Sequence, residues 1–179
     1  FVESGLLIWG VEDDFLRQTQ EVAAKMQTPL VHMKPEDIAS RYPWLHVPST
    51  VDLGLLQEKN AGHMSPRKLN QAQLQLAQRS GATHLNSEVL EVQHSERIFS
   101  VKTSGQEVLA KNVLVAAGCY TSLLPLLPEK LVMTLTGSQA LLIEISEEDA
   151  QTLAQMPSMI YEGKSEEECV YLLPPIQYP

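Results

Sequence analysis

Apolar residues along this chain switch repeatedly between the two-residue period of a strand and the longer period of a helix, and the switches mark out the elements. Leu6-Leu7-Ile8-Trp9, held between Gly5 and Gly10, predicts a strand. Asp13 and Asp14 then precede Phe15, Leu16, Val22, Ala23 and Met26 at helical spacing, which predicts a helix over 12–27 that Pro29 stops. Leu30-Val31-His32-Met33 is a short extended piece. Pro35 suits the first turn of a second helix that must end before Pro43. Residues 51–58 read as a strand, and 61–65 continue after a turn at Asn60. Ser65-Pro66 then opens a helix over 66–80, with Leu69, Leu74, Leu76 and Ala77 on its apolar face and Gly81 at its end.

The second half alternates faster. Residues 83–86 predict a short strand, and Val89, Leu90 and Val92 a second. Residues 98–103 and 106–110 alternate in polarity across Ser104-Gly105, which is a hairpin signal. The continuous apolar run 112–116 predicts a strand buried on both faces. It meets Ala117-Gly118 and a helix start at Tyr120, which is half of a βαβ unit. A further strand is expected over 132–145 and a helix over 147–155. Residues 159–162 and 170–173 should pair antiparallel around Gly163-Lys164. The fold class is mixed α/β, with parallel and antiparallel character.

Composition narrows the options. The 179 residues, 44% apolar and 20% charged, suit one ordinary domain or slices of two. A net charge of −9 argues against nucleic-acid partners. Its acidic excess is dispersed apart from Glu166-Glu167-Glu168, so no disordered acidic tail is expected. No apolar run approaches the ~20 residues of a transmembrane helix, and the first ten residues carry no basic region of a signal peptide. Cys119 and Cys169 have neither metal nor redox spacing, which favours a reducing, intracellular location. Phe at position 1 and the proline-rich stretch after Leu172 predict an internal piece of a longer protein.

Chemistry concentrates where small residues meet a predicted strand end. At Ala117-Gly118 any larger side chain would hold a ligand away from the backbone, and the N–H groups of the following helix start would favour an anionic or polar group there. The same residues also suit a plain tight turn. His63, in Gly62-His63-Met64-Ser65-Pro66, could be a base or a ligand, or a satisfied side chain beside a capped helix entry. No acid–base pair offers a defensible general base, and no metal site is expected.

Taken in order, these segments resemble the FAD-dependent oxidoreductases of the D-amino-acid oxidase superfamily, in the branch of glycine oxidase and monomeric sarcosine oxidase. The resemblance is carried by Ala61-Gly62-His63-Met64-Ser65-Pro66, Ala77-Gln78-Arg79-Ser80-Gly81-Ala82, Ser87-Glu88-Val89-Leu90-Glu91-Val92, Ala110, and Val113-Leu114-Val115-Ala116-Ala117-Gly118-Cys119-Tyr120. Arg41-Tyr42-Pro43 and Thr136-Gly137-Ser138-Gln139 extend it towards both ends.

The resemblance implies part of a glutathione-reductase-like FAD-binding domain over 61–130, flanked by pieces of an antiparallel-sheet substrate domain over 1–60 and 131–179. It implies that the Val89 backbone meets the adenine part of FAD, and that Ala116, Ala117 and Gly118 lie against its pyrophosphate and ribose. Tyr120 stands where the family has an aromatic. Ile160, Tyr161 and Tyr171 would approach the substrate cavity, although the two tyrosines also suit half-buried strand packing. The implied activity is oxidation of the C–N bond of a small amine or amino acid by hydride transfer to the flavin, with O₂ or a carrier as acceptor. A superfamily dehydrogenase, a flavin-fold subunit without catalysis, and an unrelated α/β domain remain alternatives. The glycine-rich phosphate loop and the closing segment over the flavin ring are absent from the sequence, and residues 134–137 lack an Arg that family members often have. Cys119, where the family often has Ala, is expected to be small, apolar and buried.

Overall fold

The computed structural model describes residues 1–95, 97–137 and 139–176. In chain order its elements are β1 (Val2–Glu3), β2 (Leu6–Gly10), α1 (Asp14–Lys25), β3 (Val31–Met33), α2 (Pro35–Arg41), β4 (Leu53–Gln57), β5 (Gly62–His63) and α3 (Pro66–Arg79). These are followed by β6 (Val89–Ser95), β7 (Ile98–Thr103), β8 (Glu107–Ala110), α4 (Tyr120–Leu123), α5 (Glu147–Thr152), β9 (Ser158–Glu162) and β10 (Val170–Leu172). The chain divides into two units, Phe1–Gln73 with Ile143–Pro179, and Leu74–Leu142.

In the first unit a five-stranded sheet runs in the order β10-β9-β2-β4-β3. β2 is central: it pairs antiparallel with β4 and parallel with β9. Successive side chains of a strand point to opposite faces, so β2 feeds two cores. Leu7 and Trp9 pack on one face with Met33, Ile38, Leu56 and Met159. Ile8 packs on the other with Leu16 and Leu55. The register lines up Tyr171, Ile160, Ile8, Leu55 and His32 as one row across all five strands.

The helices form for local reasons. Asp13 caps α1, its Oδ1 accepting the Leu16 N–H at 3.0 Å. Asp14 in the first turn and Lys25 in the last suit the helix dipole. Gln27, with φ of +54°, turns the chain out of the helix ahead of Pro29. At α2 the Lys34 N–H donates to Asp37 Oδ2 at 3.1 Å, and Pro35 occupies the first turn. α2 lies close over β4 because residue 54 is glycine: a Cβ there would sit 2.7 Å from Ile38 Cδ1.

In the second unit β6, β7 and β8 form an antiparallel three-stranded sheet, with the expected hairpin between β7 and β8. Three expectations fail here. Residues 83–86 and 112–116 are not strands, nor are the described residues of 132–145, the last three of which belong to the first unit. A strand needs a ladder partner for its N–H and C=O groups, and these runs have none among the described residues. The run 112–116 is not buried on both faces either: Val113 and Val115 are half-buried, while Leu114 is 92% exposed. Ser138 of the Gly137-Ser138-Gln139 motif and the last three residues lie outside the described residues. No helix among the described residues is long and apolar enough to cross a membrane.

Candidate functional site

Val89 opens the edge strand β6, and its backbone direction follows from the register. Val89 faces Thr103 in β7, and the Ser104 N–H donates to the Glu88 carbonyl at 2.9 Å. That bond makes Val89–Thr103 a non-hydrogen-bonded pair, so the N–H and C=O of Val89 point away from β7 towards the free edge of the sheet. A bulge between Val89 and Glu91 re-aims the strand just beyond. At Val92 the same edge is met by the chain after α4, the Val92 N–H donating to the Pro125 carbonyl at 3.1 Å. Three residues of strand span ~10 Å. The open backbone of Val89 and the chain just after α4 therefore lie along one edge of β6, and Ala116, Ala117, Gly118 and Tyr120 precede that contact in the same unit. Nothing in the local sequence signals the Val92–Pro125 contact, which joins distant segments through backbone atoms.

Gly118 makes the bend before α4. Its φ is +53°, the left-handed region that glycine enters without steric cost, and a Cβ placed there would meet no atom within 4 Å. The bend is closed by the Tyr120 N–H donating to Ala117 O and the Thr121 N–H to Gly118 O, both at 3.1 Å. The backbone at 116–118 is thus bare, although no parallel strand leads into it. Tyr120 is 60% exposed. Cys119 corrects an expectation: it is exposed, because it lies at the solvent-facing start of α4 and not in a buried strand end.

The other three candidates belong to the first unit. Ile160 and Tyr171 are direct cross-strand partners on one sheet face. Tyr161 points to the opposite face, where its ring lies 4.9 Å from that of Trp9. Tyr171 is 80% exposed. The Trp9 indole N–H is buried with no hydrogen-bond partner among the described residues, a cost of ~1–3 kcal/mol that the packing of the ring must offset.

His63 lies in a short polar chain: Ser4 Oγ is 3.4 Å from His63 Nδ1 and 3.3 Å from Ser158 Oγ. Among the described residues no carboxylate enters this network, so the network shows no triad. Arg41 donates to Glu58 Oε1 at 2.8 Å, and this bond raises the Arg41 pKa. Partial burial raises the Tyr42 hydroxyl pKa. Cys169 Sγ donates to Glu162 Oε2 at 3.0 Å, which holds the thiol above its ordinary range. Glu91 is held below the ordinary carboxylate range, first by the Gln93 amide and then by Lys102. No group of His, Cys, Asp and Glu among the described residues could hold a metal ion.

N-methyl-L-tryptophan oxidase of Escherichia coli is 30% identical over 131 residues, covering 72% of this chain and 35% of that protein. NikD, described as an unusual amino acid oxidase essential for nikkomycin biosynthesis, superposes with a TM-score of 0.55 at 26% identity, over 69% of this chain and 32% of its own. Glycine oxidase of Bacillus cereus shares the fold, with a TM-score of 0.52 at 20% identity over 69% of this chain and 34% of that one. The chain thus spans about a third of the length of the relatives it matches. Residues 1–177 match the family described as FAD dependent oxidoreductase (DAO), and the chain belongs to that family.

Proposed function

We propose that the full-length protein is an FAD-dependent oxidoreductase that oxidises the C–N bond of an amino acid or N-methyl amino acid. The observation that carries this reading is the family match across residues 1–177. The residues present also fit a dinucleotide. β6 offers a free backbone edge at Val89, and the same unit holds an open bend at Gly118, where an added Cβ meets no atom within 4 Å. On this reading the Val89 N–H and C=O read the adenine edge. Ala116, Ala117 and Gly118 let the backbone approach the pyrophosphate and ribose, and the exposed Tyr120 ring flanks the bend.

The substrate side rests on Ile160 and Tyr171, which share a face. Ile160 walls the site with an apolar surface, and the Tyr171 hydroxyl donates a hydrogen bond to the substrate carboxylate. Tyr161, on the far face, positions β9 through its contact with Trp9. FAD, when bound, supplies the two-electron oxidation by accepting hydride from the carbon next to the substrate nitrogen. The protein's own contribution is to orient that carbon and to exclude water from around it.

The test is the absorption spectrum of the purified full-length protein under anaerobic conditions. Flavin bands that bleach on adding N-methyl amino acids support the reading. A flavin that no amine reduces, or a protein that takes up no flavin, overturns it. Re-admitting O₂ to the reduced protein then assigns the acceptor: hydrogen peroxide marks an oxidase, and re-oxidation only by an added quinone marks a dehydrogenase.

A further inference from the structure

A cavity of about 400 Å³ lies between α1 and one face of the first unit's sheet. Its floor is Leu6, Ile8 and Leu55, and Phe15, Val22 and Ala23 of α1 form its wall. It falls in the size range of small-molecule sites. Its chemistry is one-sided: no charged residue lines it. Two of its polar side chains are already engaged, the Thr19 hydroxyl by the Phe15 carbonyl at 2.8 Å and the Gln57 amide by the Lys59 carbonyl at 3.0 Å. Gln18 and Thr28 add polar groups to the lining, but most of the surface on offer is apolar. Phe15, Val22 and Met26 stay 44%, 56% and 72% exposed although all three border the cavity. The described residues leave this surface unfilled by their own side chains.

The register connects this cavity to the substrate residues. Ile8, in its floor, is the cross-strand partner of Ile160, which is the partner of Tyr171. All three point to one face, and Ile160 packs against the cluster of Ile8, Leu16 and Leu55. Neighbouring strands are ~4.8 Å apart, so Ile8 lies one strand spacing from Ile160 and Leu55 two. An aromatic side chain attached to an α-carbon held at Ile160 and Tyr171 reaches Ile8, one spacing away.

Resting on the function proposed above, we propose that this cavity is the side-chain subsite, and that the substrate class is amino acids with bulky, uncharged apolar or aromatic side chains. The charge-free lining disfavours acidic and basic side chains, since burying an unpaired charge is costly. A small substrate such as sarcosine would leave the cavity empty and forgo its burial.

The test compares full-length, FAD-loaded wild type with Ala23→Phe and, as a second filling variant, Thr19→Phe. The readout is the ratio of kcat/KM for N-methyltryptophan to that for sarcosine. Wild type should favour the bulky substrate, and either variant should lower the ratio ~10- to 100-fold, the range set by burying an aromatic group of this size. A second readout needs no turnover. Indole-3-acetate should raise the melting temperature of wild type more than acetate does, and this difference should vanish in the variants. A ratio that both variants leave as in wild type, or equal protection by indole-3-acetate in all three proteins, overturns the subsite. A wild type that oxidises no amine overturns the functional reading itself, a result distinct from oxidation with an unaltered ratio.

Discussion

At the residue scale, Cys169 and Glu162 give a measurable pH effect. The Cys169 thiol donates to the Glu162 carboxylate across the β9–β10 connection, and removing the thiol proton there sets two negative charges side by side. The hydrogen bond therefore favours the protonated thiol, and the thiolate, which is the nucleophile, forms only above the ordinary thiol range. In a Cys119→Ser background, the reaction of Cys169 with a disulfide reagent should accelerate at higher pH than for a free thiol. Glu162→Gln should move that midpoint down; a midpoint that stays put contradicts the assignment. Gly118 behaves differently. A side chain there meets nothing in the surrounding structure, so only the left-handed backbone resists. Gly118→Leu should cost ~1–2 kcal/mol of stability by this route, read as a modest drop in denaturation midpoint. A loss of cooperative unfolding would mean that the bend is packed, contrary to the structure.

At the element scale, the seating of α2 over β4 is the sharpest packing claim. Ile38 is fully buried and its Cδ1 occupies the space a residue-54 side chain would need. Ile38→Ala should cost ~2–5 kcal/mol by leaving a cavity. Gly54→Ala alone should cost ~1 kcal/mol, because the atom it displaces is the end of a flexible side chain. Combined, the two changes should be non-additive, the added methyl entering the vacated space, with a coupling of ~0.5–3 kcal/mol in urea melts. Simple addition would contradict the contact. The elements that were legible in the sequence are those with local signals: Asp13 ahead of α1, Pro35 at α2, Ser65-Pro66 ahead of α3, and the Ser104-Gly105 hairpin. The misread runs, 112–116 and 132–145, are apolar enough for strands. Whether an edge pairs with them depends on residues far away in sequence, which no local pattern reports. The candidate site was legible to a similar degree. The bare backbone at Gly118 follows from residue type alone. The separation of Ile160 and Tyr161 onto opposite faces follows from the strand period, whereas the Val92–Pro125 contact and the cavity under α1 are tertiary and leave no mark in the sequence.

At the scale of the whole molecule, the proposed function rests on one arrangement, in which a dinucleotide would meet both the free edge of β6 and the bend at Gly118. Flavin affinity tests this without requiring turnover. Full-length apoprotein is titrated with FAD, and the dissociation constant of wild type is compared with that of Gly118→Leu, each checked for an intact melt. Contact between the bend and the cofactor predicts a Kd raised at least ~10-fold, equivalent to ~1.4 kcal/mol of lost binding, in a protein that still unfolds cooperatively. An unaltered Kd in such a protein would contradict the arrangement and place the cofactor elsewhere.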